Sequence, residues 1–294
     1  METIQNDTLR IAVKPSGAEL CSIQALATGK EYMWEGNPAI WGSFAPVLFP
    51  IVGTLKDNTY LYNGKSYQLF RHGFFRGNDK VTLVKKTENQ LAFSLKSDAE
   101  SLKVYPFEFE MVIAFTLEGK SVHISHEVRN TGNETMFFSV GGHPAFKCPL
   151  NEGETYEDYY LHFDQKENAT TWDLNSGGII TQKGRVVLDN SDQLPLDRHL
   201  FDHDALIFKH LRSASVSLNH YLNGPVLEVD FNGWPYLGIW AKPQAPYVCI
   251  EPWLGIADSV DTDQQIENKE GILSLLPGKT FMATFSIKIM NLEE

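Results

Sequence analysis

Alternation with a period of two runs through much of this chain, the pattern of strands that bury one face. Phe107, Phe109, Met111, Ile113 and Phe115 fall on one side, with Glu108, Glu110 and Thr116 on the other. Glu118-Gly119-Lys120 supplies a turn. The next strand sets Val122, Ile124 and Val128 against His123, Ser125, Glu127 and Arg129. Asn130-Thr131-Gly132-Asn133 reads as a second turn, so a third strand at residues 135–140 completes a β-meander ending at Gly141-Gly142-His143. Further strands are predicted at 80–86 and 90–97, a hairpin, and at 185–188, 226–231, 236–241, 247–251 and 280–290. Helical pattern is confined to a turn or two at 38–44 and 200–206. Many short strands separated by turns predict an all-β protein, a single large β-sandwich. With no linker, repeat or low-complexity segment, one domain over residues 1–294 is the expectation.

Charge and cysteine content narrow the function classes. A net charge of −12 argues against nucleic acid or an anionic membrane as partner, since both need a basic surface. Cys21, Cys148 and Cys249 are few, odd in number and widely spaced, which suits a reduced cytoplasmic protein better than a disulfide scaffold. The polar first ten residues lack the apolar run of a signal peptide, and no stretch has the roughly 18 apolar residues of a spanning helix. Nothing in the pattern fixes an oligomeric state.

Three residues stand out as candidate chemistry. His143 follows two glycines and precedes Pro144, where the backbone needs unusual dihedrals or close approach. His72 lies in Arg71-His72-Gly73-Phe74, and Glu251 in Cys249-Ile250-Glu251-Pro252-Trp253. On its strand Glu251 shares a face with Cys249 and Trp253, opposite Val248 and Ile250. A partly apolar setting there raises a carboxylate from about 4.3 toward the range of a general base. Imidazoles, a carboxylate and an aromatic together suit acid–base work on a neutral polar substrate such as a sugar, with Trp253 available for its C–H face. Arg71 and Arg76 flank His72 and read either as a solvated loop or as ligands for hydroxyls or a phosphate.

Other readings have less behind them. His126 shares the apolar face of its strand and reads as a satisfied core histidine, while His123 reads as solvated. His199 and His203 are four apart, but the zinc-hydrolase pattern wants Glu where Leu200 stands, so no metal is expected. No nucleophile elbow and no phosphate-binding glycine loop occurs.

The motifs together resemble the aldose 1-epimerases, the galactose mutarotase-like proteins, and within them the LacX-like branch. The stretches that carry the resemblance are Leu48-Phe49-Pro50-Ile51-Val52-Gly53, Arg71-His72-Gly73-Phe74, Tyr105-Pro106-Phe107, Gly141-Gly142-His143-Pro144-Ala145-Phe146, His203-Asp204-Ala205-Leu206 and Cys249-Ile250-Glu251-Pro252-Trp253-Leu254-Gly255. The resemblance implies a β-supersandwich and a cofactor-free isomerase that interconverts sugar anomers. Glu251 would act as base, His143 as acid, His72 as a hydrogen-bonding helper and Asp204 as a holder of hydroxyls. One departure bears on substrate. The family's galactose enzymes carry an arginine soon after the glycine of the early loop, whereas Gly53 here precedes Thr54-Leu55-Lys56-Asp57. Arg71, Arg76 or Lys56 then serves instead, or the sugar differs. The alternatives are a hexose-6-phosphate mutarotase and a non-catalytic carbohydrate-binding protein of the same fold.

Overall fold

The computed structural model describes residues 1–292. Over those residues two antiparallel sheets dominate. The larger has nine strands in the order Ile180–Pro195, Tyr159–Leu174, Ser215–His220, Gly224–Asp230, Thr280–Ile289, Ser121–Asn130, Phe109–Glu118, Gln90–Lys96 and Thr82–Lys86. The smaller runs Leu206–Lys209, Tyr236–Trp240, Tyr247–Leu254, Val140–Gly142 and Val47–Leu48, with Ala145–Lys147 also paired to Tyr247–Leu254. Their inner faces meet in one large apolar cluster, which gives the sandwich. Phe109–Glu118 and Thr280–Ile289 are built as the alternation predicts, with Phe109, Met111, Ile113, Phe115, Phe285, Ile287 and Ile289 buried. The predicted helical stretches at 38–44 and 200–206 hold turns, and the one α-helical segment among the described residues is Ser101–Val104.

The meander is corrected. Its first two strands pair as expected, but the place beyond Ser121–Asn130 is taken by Thr280–Ile289 in register from Ser121 to Arg129. The apolar face of that distant strand continues the buried face, and the chain after Asn130 leaves the sheet instead. Asn130 fixes the exit: its Nδ2 donates to the carbonyls of Glu134 and Leu275, and its own carbonyl accepts from Gly278 N–H. The predicted third strand then splits. Met136–Phe138 pairs with Leu273–Leu275, and Val140–Gly142 enters the smaller sheet.

That second placement explains the two glycines. Neither has a positive φ. Each allows close approach: a Cβ on Gly141 would stand 2.8 Å from Trp253 Cδ1, and one on Gly142 2.5 Å from Phe285 Cζ. Of the two reasons the sequence offered, close packing is the one that operates.

Candidate functional site

The outer face of the smaller sheet carries the site. In Tyr247–Leu254, Val248 and Ile250 point into the main core, and Trp253 belongs to a second apolar cluster with Leu48, Val52, Ile207 and Tyr236. Glycines at 141 and 238 on both neighbouring strands leave room for the Trp253 ring. Glu251 lies opposite Gly238 in the register. His143 leaves Val140–Gly142 just before Ala145–Lys147 rejoins the same central strand. His72 arrives on a loop in the left-handed region at φ 67, tied down by its N–H to the Gly53 carbonyl.

A cavity of about 600 Å³ joins these groups, a size that takes a monosaccharide. At its base the Glu251 Oε2 and His143 Nε2 stand 3.3 Å apart, with side chains 2% and 10% exposed. Glu251 Oε2 and His143 Nδ1 have no hydrogen-bond partner. Burial pushes Glu251 well above the ordinary carboxylate range; the Trp253 indole opposes this and Asp204 adds to it. Burial brings His143 down to about 3, against the pull of its own carbonyl and with help from Arg76. Trp41 stacks on His143 at 5.1 Å, and Trp240 meets it edge-on at 5.7 Å.

His72 is partly buried and crosses His143 at 5.8 Å. Burial, then His143, Arg71 and Arg76, hold it well below 6.5. Its Nδ1 accepts from Gly53 N–H at 3.2 Å. A neutral imidazole that accepts at Nδ1 carries its proton on Nε2, so His72 offers a donor.

Arg71, Arg76, Asp204 and Trp253 all line this cavity with the three candidates. Arg71 Nε donates to Thr54 Oγ1 and its Nη2 to the Gly177 carbonyl, while Arg76 Nη2 donates to Ser43 Oγ. Neither guanidinium forms a carboxylate ion pair among the described residues. Asp204, exposed and at φ 77, accepts from the N–H of Ala205. Lys56 does not join them: its Nζ donates to the Val260 carbonyl. His199 sits on a turn bonded to Asp202 and not on a helix face with His203. Pattern reading missed Trp41, Trp240 and the turn at 175–178, whose Asn175, Ser176 and Gly178 line the cavity. That turn tips the hairpin of Tyr159–Leu174 and Ile180–Pro195, whose repeated register shifts break the period-2 signal. Beneath the pair lies buried Cys249; its Sγ, a His143 ring nitrogen and a Glu251 oxygen lie within 4.8 Å of one another and are the donors a metal could use.

Residues 2–287 match the family model for aldose 1-epimerase. The chain belongs to the aldose 1-epimerase family. A protein called LacX, plasmid-borne in Lactococcus lactis subsp. lactis, is 36% identical over 98% of this chain and 99% of its own length. Among solved structures, a galactose mutarotase related enzyme from Lactobacillus acidophilus is 38% identical, with a TM-score of 0.92 over 99% of this chain and 97% of that one. A galactose mutarotase-like protein from Lactobacillus casei is 26% identical, with a TM-score of 0.91 over 99% of this chain and all of that one. Membership of this family supports an isomerase that acts on a sugar, and the fold is the family's sandwich.

Proposed function

We propose that the protein is a mutarotase that interconverts the α and β anomers of an aldose by acid–base ring opening. The observation that carries this reading is the facing of Glu251 and His143 at the base of a sugar-sized cavity. The pair holds one proton in two forms of equal net charge: carboxylate with imidazolium, or carboxylic acid with neutral imidazole. In the first form the Glu251 carboxylate takes the C1 hydroxyl proton while imidazolium His143 protonates the ring oxygen. The C1–O5 bond breaks and leaves the open-chain aldehyde with the pair in its second form. After the C1–C2 bond rotates, His143 takes the C5 hydroxyl proton as that oxygen attacks C1, and Glu251 returns its proton to the aldehyde oxygen. One cycle restores every proton, so the chemistry calls for no cofactor. Burial disfavours either charge alone and so favours the second form in the empty cavity; hydroxyls donated to the Glu251 carboxylate favour the first. His72 Nε2–H and Asp204 are the groups available to hold the sugar's oxygens and hydroxyls, with Trp253 beside its apolar face.

NMR exchange spectroscopy across a panel of aldoses tests this reading. The protein should speed anomer exchange, and Glu251→Gln and His143→Ala should each lower the rate by about 10²–10⁴. Calorimetry should still detect sugar binding by both variants. Binding without acceleration for any aldose or aldose phosphate would make this a carbohydrate-binding protein and sink the enzyme.

Arg71 and Arg76 favour a second, finer reading, in which the sugar is a hexose 6-phosphate. Two guanidinium groups line the cavity of an acidic chain with no carboxylate partner, and guanidinium recognises phosphate bidentately. Arg71→Gln or Arg76→Gln should then raise KM for the phosphorylated sugar by about 10–100-fold, the worth of a charge-assisted hydrogen bond, and leave KM for the free sugar near its original value. Equal effects on both sugars would exclude phosphate recognition.

A further inference from the structure

We propose that Cys249, His143 and Glu251 form a binding site for a thiophilic divalent cation of the zinc type, and that occupancy shuts the sugar cavity. Cys249 and Glu251 project from the same face of Tyr247–Leu254 two residues apart, and His143 meets them from the adjoining loop. All three are buried, and their donor atoms lie within 4.8 Å of one another. Donors around tetrahedral zinc stand about 3.3–3.8 Å apart, given metal–ligand bonds of about 2.0–2.3 Å. The Glu251–His143 spacing of 3.3 Å already fits, and the remaining separations need close by no more than about 1.5 Å (4.8 − 3.3). Three protein ligands with the fourth position facing an open cavity is the arrangement of an accessible zinc site. A sulfur–nitrogen–oxygen set selects such an ion over magnesium or calcium, which take oxygen alone.

Two further observations bear on the ligand. Glu251 Oε2 is buried without a hydrogen-bond partner, an unusual state for a carboxylate and one that a cation relieves. The Cys249 thiol takes no part in the proposed ring opening, yet it lies against both groups that do. The balance is simple. The ion sheds water, the thiol and the carboxyl each release one proton, and His143 binds as neutral imidazole. A dication with one thiolate and one carboxylate has zero net charge, which suits a buried position better than any single ion there. The far ring nitrogen of His143, Nδ1, has no partner to orient it. Metal sites lacking that support bind more weakly, which points to reversible occupancy over a resident ion. Since the ion would engage both groups of the acid–base pair, metal and sugar binding exclude each other.

Cobalt(II) titration of the purified full-length protein tests this without recourse to turnover, so its result stands apart from the enzyme reading. A thiolate-to-cobalt charge-transfer band at one ion per chain is expected, and zinc should abolish it by displacement. Cys249→Ser should remove the band and weaken zinc binding, followed by calorimetry, at least about tenfold, the least that even outer partners of a metal site command. A saturating sugar should weaken zinc to a similar degree. The exposed turn of His199, Asp202 and His203 is an alternative holder of the ion, so a His199→Ala/His203→Ala variant runs alongside. A band absent from the wild-type protein overturns the proposal, and this holds even where Cys249→Ser fails to fold. Zinc affinity lost in the turn variant and kept in Cys249→Ser overturns it equally.

Discussion

Glu251 and His143 are opposite cases of one cause. Burial raises the carboxylate and lowers the imidazole, and each shift disfavours a charge. Because the pair carries one proton through the working pH range, its titration belongs to the pair and not to either residue. A second proton enters only when His143 charges, near pH 3, and the shared proton leaves only when Glu251 ionises, well above 4.5. The profile of kcat/KM against pH should therefore stay flat through the ordinary histidine range, with its acid limb far below 6.5. A limb with an apparent pKa near 6.5 would show that a solvated histidine does the work. Much of this site was legible from the chain. Period-2 alternation put Glu251 on the face of Trp253, and the glycines before His143 marked a crowded turn. Trp41 was not legible, because nothing local in residues 38–44 tells that the loop folds onto an imidazole a hundred residues later.

At the scale of elements, sequence reading worked where a strand is regular and failed where pairing is distant. Phe109–Glu118 and Thr280–Ile289 were each recognisable, but that Thr280–Ile289 displaces the expected third meander strand depends on contacts 150 residues apart. The loop behind the site shows the same limit. Asp258 donates its N–H to the Thr54 carbonyl and accepts from Lys56 N–H at Oδ2 and from Lys269 Nζ at Oδ1, while its own carbonyl accepts from Ile180 N–H. Lys269 also donates to the Ile256 carbonyl, and both side chains of this ion pair are 3% exposed. Gly53, whose N–H sets the His72 tautomer, packs on Ala257 so closely that a Cβ would fall 2.6 Å from the alanine methyl. The ion pair thus pins the loop that aims His72 and holds Arg71 through Thr54. Lys269→Met strands the Asp258 carboxylate in the interior and should cost about 3–5 kcal/mol in urea unfolding. A Lys269→Met/Asp258→Leu double variant should recover much of that loss, as a cycle over a coupled pair requires. If the single change costs no more than a surface substitution, the pin is not structural.

At the scale of the molecule, the joint between the two sheets makes stability sensitive to acid. His126 is fully buried there, 5.4 Å from Trp234 and 5.7 Å from Phe285, one layer behind Gly142. The sequence marks it as a core histidine, which it is, but not a satisfied one: neither ring nitrogen makes a hydrogen bond. Burial lowers it from 6.5 to about 4, with the carbonyls of Ile124 and Gly141 offsetting part of the shift. The sign follows from which state binds the proton. Between 6.5 and about 4 the unfolded chain is protonated at His126 and the folded one is not, so stability is full above 6.5 and falls as pH drops toward 4. Over that interval the loss from this one group is about 3 kcal/mol, at about 1.4 kcal/mol per pH unit. Urea unfolding at steps from pH 7 to 4 should show this slope in the wild-type protein. His126→Leu should have a shallower one, the part remaining coming from the other depressed imidazoles, His143 and His72. Because His126 lies between the sheets, its proton should be felt by both at once. The fluorescence and far-ultraviolet transitions should coincide at every pH, as one domain over the whole chain requires. Two separated transitions, with only one moving with pH, would divide the chain that the pattern reads as a single sandwich.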